Sequence, residues 1–224
     1  MREISLEDII PRRGDRVFLA GQTGSGKTTL AKVLLQEREY VVVLDVKGLI
    51  RWPGYTIFNK LSRLMDADPK KVRKIIYKPA YEDLADEVTV NAFFQWIYNR
   101  QRTTLYVDEL AGVTSGDNYP YYYGACLMRG RELGIEVISG AQRPTRIPQI
   151  AMSEAEHVYT FKLRMVNDRV RMEALTGIEA YRIAGLQKRE FLYAPQDGNV
   201  IGPNRLELAE RTSSSGSNSL ARVS

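Results

Sequence analysis

A phosphate-binding signature lies near the start of this 224-residue chain. Residues 21–28, here called the phosphate turn, read GQTGSGKT and match the pattern G-x-x-x-x-G-K-[S/T]. Backbone N–H groups in such a turn point at phosphate oxygens, and the N-terminus of the next helix adds partial positive charge. Lys27 is placed to reach the β- and γ-phosphates of ATP, and Thr28 to offer its hydroxyl to Mg2+. The predicted nucleotide-binding residues are Gly21, Gln22, Thr23, Gly24, Ser25, Gly26, Lys27, Thr28 and Thr29.

Two acidic residues follow another apolar segment, residues 103–107. Asp108 closes this predicted strand, where a carboxylate can hold Mg2+ through its water shell. Glu109 comes next and can polarise a water for attack on the γ-phosphate, which indicates hydrolysis and not transfer to a metabolite. An acidic pair of this kind is by itself often a solvated turn. Its position downstream of the phosphate turn favours the catalytic interpretation.

A polar residue also follows the next apolar segment, residues 135–139. The carboxyl ends of neighbouring parallel strands meet at one edge of a sheet. We therefore expect Gln142 to lie beside Lys27 and Glu109, near the γ-phosphate. An amide in this place can contact the phosphate or the attacking water.

The remaining patterns predict alternating strands and helices, and hence a three-layer α/β fold with a mainly parallel central sheet. The predicted strands are residues 16–20, 40–45, 74–78, 103–107, 135–139 and 157–163, the last being the final strand expected. The predicted helices are residues 28–38, 83–100 and 124–133, with a glycine- and tyrosine-rich loop at 112–123. We assign residues 1–210 to one domain. The serine-rich tail, residues 211–224, has too little apolar content to pack and is expected to be disordered.

Composition narrows the choice of partners and compartment. The 32 Lys and Arg against 27 Asp and Glu give a net charge of +5, which allows a polyanionic partner without requiring one. The single cysteine, Cys126, excludes an intramolecular disulfide, and the single histidine, His157, excludes a histidine-rich metal site. No apolar run approaches the roughly 20 residues of a membrane span, and the first residues do not read as a signal peptide. We expect a cytoplasmic protein.

The motifs taken together resemble the FtsK–HerA superfamily of DNA-pumping ATPases. Asp45-Val46-Lys47 is similar to that family's D-P-K turn, with valine in place of proline. Residues 108–111 (DELA) resemble its D-E-x-A motif. Residues 129–135 (RGRELGI), followed by Gln142-Arg143-Pro144, resemble its R-x-x-G-I and T-Q-R-P segments.

This resemblance covers roughly residues 16–176 and implies a P-loop NTPase core of the RecA-like, additional-strand (ASCE) type. It implies a homo-oligomeric ring, usually a hexamer and alternatively a pentamer, around double-stranded DNA. The family's arginine finger would correspond to Arg129 or Arg131. Each of these could instead cap its helix or cover a surface, and the sequence leaves the choice open.

The leading interpretation is an ATP-driven translocase of double-stranded DNA, of the kind that packages viral genomes. It would work in the host cytoplasm or on the virion, at a capsid vertex or portal. This step from superfamily to packaging rests on analogy and on the small size of the chain. The alternatives are a plasmid conjugation or segregation ATPase, a filamentous-phage assembly ATPase and, from a different class, a non-motor P-loop kinase or NTP-binding switch.

Three surfaces are candidates for DNA contact, and no base-reading module is recognisable, so sequence-specific binding is not expected. The first is the tyrosine-rich loop at 112–123, which could equally pack a subunit interface. The other two are basic clusters for which a solvated face is the alternative. Their members are Lys70, Lys71, Arg73 and Lys74 in one cluster, and Arg164, Arg169 and Arg171 in the other.

Overall fold

Short apolar segments of the chain assemble into one mixed sheet in the computed structural model, which describes residues 9–208 and 221–223. The strands in this part of the chain are β1 Arg16–Ala20, β2 Val41–Leu44, β3 Thr56–Phe58, β4 Lys74–Tyr77, β5 Thr104–Val107, β6 Glu136–Ala141, β7 His157–Phe161, β8 Glu190–Pro195, β9 Ile201–Leu208 and β10 Ala221–Val223. Their spatial order is β10-β9-β8-β7-β1-β6-β5-β2-β4-β3. The strands from β3 to β7 in this order are parallel, and β8, β9 and β10 are antiparallel.

Helices connect the parallel strands and cover both faces of the sheet. They are α1 Lys27–Leu34, α2 Leu61–Met65, α3 Tyr81–Ala85, α4 Glu87–Arg100, α5 Tyr121–Arg129, α6 Ile150–Ser153, α7 Val166–Thr176 and α8 Ala180–Gly185. The single helix predicted at 83–100 is two helices. Asp86 has extended backbone between them and accepts hydrogen bonds from Val88 N and Thr89 N, so its side chain caps α4 and starts a new helix.

Alternation along the central strands produces two apolar layers. On β1, Phe18 belongs to the core that contains Phe93 and Phe94 of α4, whereas Leu19 belongs to the core that contains Leu30 of α1. Successive strand side chains point to opposite faces, so a strand that is apolar throughout must be covered on both. The predicted three-layer α/β architecture with a mainly parallel sheet is therefore confirmed.

Several predicted boundaries are wrong, both before and after residue 112. The helix predicted at 124–133 begins at Tyr121 and ends at Arg129. The strand at 157–163 is not the last, because β8 and β9 extend the sheet beyond it. Residues 221–223 pair with β9, and the expectation that the tail is disordered stays a prediction. The rest of that tail lies outside the described residues.

The helices of the described part of the chain are short. The longest of them, α4, has 14 residues. None within residues 9–208 and 221–223 is both long and apolar enough to span a bilayer.

Candidate functional site

The phosphate turn is held at the carboxyl edge of the sheet by its neighbours. Gly21 N donates to Ala141 O at the end of β6, at 3.1 Å, and Gln22 N donates to Lys162 O beyond β7, at 3.0 Å. Gly26 has φ of 125°, a region open to glycine but strained for other residues. A Cβ there would also lie 2.9 Å from a ring carbon of Phe161. The turn therefore requires glycine at this position.

The antiparallel strands support the outer side of the phosphate turn. Arg189 N, just before β8, donates to Ser25 O at 3.0 Å. Leu206 of β9 is buried and lies 3.3 Å from the position of a Cβ built on Gly26. Neither contact was predicted, because the sequence pattern indicates no strand after residue 163.

One unsatisfied atom indicates that the turn fits a phosphate group. Ser25 Oγ is buried and has no hydrogen-bond partner in the described part of the chain. A buried hydroxyl without a partner is destabilising, by about 1–3 kcal/mol, and a phosphate oxygen could accept its hydrogen bond. Thr23 and Gly24 are exposed, so the turn is open to solvent on that side. Thr29, in the first turn of α1, is half-buried.

Lys27, within the phosphate turn, is buried beneath the residues that begin it. Its ammonium donates to Gly21 O at 2.5 Å and to Gln22 O at 3.4 Å. Burial lowers the pKa of Lys27 to about 8, and the nearby Glu109 carboxylate partly opposes this shift. The ammonium is therefore poorly solvated and would gain from a triphosphate.

Thr28 and Asp108 form a pair suited to a hard divalent cation. Thr28 Oγ1 donates to Asp108 Oδ1 at 2.9 Å, and the Tyr106 hydroxyl donates to the same oxygen at 2.8 Å. Oxygen ligands of this type are those that Mg2+ prefers. Burial, followed by the Asp108 carboxylate, raises the pKa of Tyr106 well above its usual value, so its hydroxyl remains a donor. Tyr106 was missed because it reads as an ordinary strand residue.

Glu109 and Gln142 are joined to each other and to the phosphate turn. Gln142 N donates to Glu109 Oε1 at 3.1 Å. Thr23 Oγ1 donates to Gln142 Oε1 at 2.9 Å. The other Glu109 oxygen, Oε2, lies 3.0 Å from the ammonium of Lys47. The three segments singled out in the sequence therefore lie together at one edge of the sheet.

The turn after β2 is fixed by a buried ion pair. Asp45 is fully buried, lies 3.3 Å from Lys78 Nζ and accepts hydrogen bonds from Leu49 N and Ile50 N. Burial raises the pKa of Asp45, and the two backbone donors oppose this shift. The side chain of Asp45 thus holds the turn that presents Lys47.

The loop after Gln142 is tied to α7 through an acidic residue that the sequence did not reveal. Asp168 is buried and accepts from Arg143 Nε at 2.6 Å. It also accepts from Thr145 N at 3.1 Å and Thr145 Oγ1 at 2.7 Å. Asp168 stands in a polar stretch without a recognisable motif, so nothing local pointed to it.

The two candidate finger arginines lie away from this site. Arg129 ends α5, and Arg131 lies between α5 and the start of β6. Both therefore lie at the amino edge of the sheet, opposite the phosphate turn. Arg131 Nη2 pairs with Glu156 at 2.5 Å and with Asp15 at 3.2 Å. Arg129 is exposed and forms no ion pair within the described residues. Within one chain, the structure does not bring either arginine to the site formed by the phosphate turn, Asp108 and Glu109.

The tyrosines of the 112–123 segment have different environments. Tyr123 is completely buried, and its hydroxyl lies 2.8 Å from Ser139 Oγ, so its interpretation as a DNA contact is wrong. Tyr121 is 74% exposed and Tyr119 is 38% exposed. These two lie at the edge of the sheet that carries Glu109 and remain candidates.

The basic clusters differ in how free their side chains are. Lys70 and Lys71 are exposed, whereas Arg73 pairs with Glu39 at 2.9 Å and Lys74 Nζ donates to Gln36 O at 3.1 Å. In the second cluster, Arg164 is exposed. Arg169 donates to Leu163 O and Arg164 O, and Arg171 donates to Ile147 O at 3.2 Å.

Comparison with solved structures establishes the fold. The chain is similar to the genome packaging NTPase B204 from Sulfolobus turreted icosahedral virus 2 in complex with sulfate, with 17% identity and a TM-score of 0.69 over 85% of this chain and 96% of that chain. The same NTPase in complex with ATP-gammaS gives 20% identity and a TM-score of 0.66, covering 86% and 99%. The bacterial conjugative coupling protein TrwBdeltaN70 gives 11% identity and a TM-score of 0.63, covering 85% of both chains.

Sequence comparison adds nothing to this likeness, since no protein-family model and no curated protein matches the chain. The predicted P-loop NTPase fold is confirmed. The names of these structural neighbours describe a genome packaging NTPase and a conjugative coupling protein.

Proposed function

We propose that this protein is an ATP-driven translocase of double-stranded DNA that packages a viral genome. One observation carries the proposal: the phosphate turn, the Thr28–Asp108 pair and the Glu109–Gln142 pair surround one place at the sheet edge. A phosphate site that also holds a poised carboxylate can hydrolyse a nucleotide as well as bind it. The fold shared with a genome packaging NTPase and with a coupling protein supports the coupling of hydrolysis to DNA.

The chemistry follows from the positions of the side chains. The backbone of the phosphate turn, Ser25 and Lys27 bind the phosphates, and Thr28 and Asp108 would hold Mg2+, which supplies Lewis acidity when bound. Glu109 accepts a proton from a water as the new bond from that water oxygen to the γ-phosphorus forms. The bond between the γ-phosphorus and the β–γ bridging oxygen breaks, and its electron pair leaves with ADP. Gln142 orients the water or the γ-phosphate.

An arginine from a neighbouring subunit completes the site in this proposal. Arg129 is exposed at the opposite edge of the sheet, whereas Arg131 is engaged by Glu156 and Asp15. A head-to-tail ring would bring the Arg129 edge of one subunit towards the nucleotide edge of the next. We therefore choose Arg129 over Arg131 as the finger, in a hexamer or pentamer.

Packaging is preferred to conjugation because the structural match covers more of the packaging NTPase than of one conjugation protein. The chain matches B204 in complex with sulfate over 96% of that chain, but the pCW3 conjugation coupling protein TcpA over 58% of that chain, with a TM-score of 0.56. This supports a packaging motor acting at a capsid vertex or portal, in the host cytoplasm or on the virion. A conjugative coupling ATPase is the second candidate, because TrwBdeltaN70 is matched over 85% of its length.

Duplex DNA is expected to accelerate ATP hydrolysis by this protein. A motor couples turnover to its track, so long duplex of any sequence should raise kcat by about tenfold or more, and the effect should weaken as salt screens the phosphate contacts. Phosphate release measured with and without duplex, with Lys27→Met as the inactive control, tests this. Turnover that is indifferent to DNA would favour a kinase or an NTP-binding switch.

Nucleotide affinity is expected to fall in alkaline solution because of Lys27. The pKa of its ammonium is lowered to about 8, so the free protein loses this positive charge as the pH rises through that value. Bound phosphates favour the protonated form, and the Kd for ATP should increase by up to about tenfold per pH unit between about pH 8 and 9.5. Fluorescent-nucleotide titrations would measure it. The Lys27→Met variant should bind weakly with a much flatter profile, and an equally steep profile in that variant would contradict the assignment.

A further inference from the structure

The two oxygens of the Asp108 carboxylate have different surroundings. Oδ1 accepts two hydrogen bonds, from Thr28 Oγ1 at 2.9 Å and from the Tyr106 hydroxyl at 2.8 Å. Oδ2 has no donor among residues 9–208 and 221–223, and it is not one of the atoms there that lack both a partner and contact with solvent. A carboxylate oxygen that serves Mg2+ or its waters must be available in this way. The hydrogen bonds therefore divide the carboxylate into one fixed oxygen and one available oxygen.

The Tyr106 hydroxyl is held in place by the packing of its ring. The side chain is completely buried, and the backbone of β5 lies between β2 and β6. The ring stacks on Trp52, with 6.2 Å between ring centroids and 10° between ring planes. Trp52 in turn meets the ring of Tyr55 edge to face at 5.3 Å. Because a close-packed interior leaves no room for such a ring to swing aside, its hydroxyl reaches Asp108 from one fixed position.

Thr28 and Tyr106 contribute differently to this arrangement. Thr28 belongs to the phosphate turn, and its hydroxyl oxygen is assigned to Mg2+ in the proposed function. Tyr106 has a single hydroxyl proton, which it donates to Asp108 Oδ1. The terminal torsion of an aspartate is broad and roughly two-fold, so a carboxylate that loses a donor can turn more easily. Tyr106 therefore limits this rotation without itself belonging to the metal site.

We infer that Tyr106 is a positioning residue that holds the Asp108 carboxylate in one orientation and thereby strengthens the binding of Mg2+ together with the nucleotide. This inference rests on the proposed function, since it concerns the same site. It assigns part of the metal affinity to a side chain that contacts neither the metal nor the phosphates. The sequence hides this role, because a tyrosine two residues before Asp108 fits a buried strand as well as an apolar residue does.

Tyr106→Phe tests the inference, because it removes the hydroxyl and keeps the ring that stacks on Trp52. The Mg2+ concentration that gives half-maximal binding of a fluorescent, non-hydrolysable ATP analogue should rise about tenfold. Affinity for the same analogue in EDTA should stay within about twofold of the wild type, and excess Mg2+ should restore kcat to within about twofold. A merely structural role would lower the affinity with and without metal alike.

Tyr123→Phe is the matched control. It also removes a hydroxyl from a completely buried ring, one that contacts Ser139 Oγ at 2.8 Å in the other apolar layer. Its Mg2+ requirement should equal that of the wild type, and thermal unfolding checks that both variants are folded. An unchanged Mg2+ requirement in folded Tyr106→Phe would overturn the inference, and so would an equal loss of affinity in EDTA.

Trp52→Leu provides a second test that leaves the hydroxyl in place. Trp52 is only half-buried, and its loss should loosen the Tyr106 ring and raise the Mg2+ requirement about threefold, again without a change in EDTA. If Tyr106→Phe does not fold, an unchanged Mg2+ requirement in Trp52→Leu overturns the inference. A wild type that binds the analogue with Mg2+ but hydrolyses no ATP, with or without duplex DNA, would instead contradict the proposed function.

Discussion

Glu109→Gln is expected to reduce ATP turnover by about 10²- to 10⁴-fold, the range associated with removal of a general base. The amide keeps the size of the side chain and can still accept a hydrogen bond from Gln142 N, which now contacts Glu109 Oε1 at 3.1 Å. It cannot take a proton from the attacking water at neutral pH. Single-turnover phosphate release measures the loss, and nucleotide titration should give a Kd within about threefold of the wild type.

Glu132→Gln is a matched control for this change because Glu132 is exposed, on the short connection before β6. It should hydrolyse ATP at the wild-type rate. Turnover that survives in Glu109→Gln would defeat the assignment of the base. A loss of nucleotide affinity as large as the loss of turnover would show that the side chain builds the pocket and does not act on water.

Arg129→Ala is expected to lower turnover by about 10³- to 10⁵-fold, the range associated with a trans-acting arginine, while Kd for ATP changes little. The physical reason is that the variant lacks the positive charge that stabilises the negative charge on the transferring phosphoryl group. Arg131→Ala should retain turnover within a few-fold of the wild type. Its side chain is 58% exposed, so loss of its pairs with Asp15 and Glu156 should reduce the free energy of unfolding by at most about 1 kcal/mol.

Mixed oligomers separate an arginine that acts between subunits from one that acts within a chain. Arg129→Ala and Lys27→Ala should each be inactive alone. In a random equal mixture, about one quarter of interfaces pair an intact phosphate site with an intact arginine, and activity should recover towards that fraction. Absence of recovery in mixtures shown to co-assemble would exclude Arg129 as a trans finger.

The parts of the site that could be predicted from the sequence lie at the ends of buried parallel strands. Lys27, Asp108 and Gln142 each follow an apolar segment, and parallel pairing of β1 with β6 and of β6 with β5 brings those ends to one edge. This arrangement depends on strand identity and direction alone. The roles assigned to these residues remain predictions for the experiments above.

The parts that could not be predicted depend on side chains meeting from distant segments. Lys47 approaching Glu109, Tyr106 approaching Asp108 and Asp168 approaching Arg143 leave no local pattern, because each contact exists only after the elements pack. Tertiary packing also explains why the position predicted for Tyr123 from local composition is wrong. Tyr123 was assigned to a glycine- and tyrosine-rich loop, but with Cys126 and Leu127 it forms the buried stripe of α5 at helical spacing.

The contacts from Arg189 and Leu206 to the phosphate turn have a consequence for how the protein is made. The turn leaves the ribosome before Arg189 and Leu206, the residues that support it, because it precedes both in the chain. A nascent chain that stops before β8 has the whole GQTGSGKT sequence but lacks the contacts from Arg189 and Leu206. ATP binding should therefore mature late in synthesis, and fragments that contain every motif but lack β8 and β9 should bind nucleotide poorly.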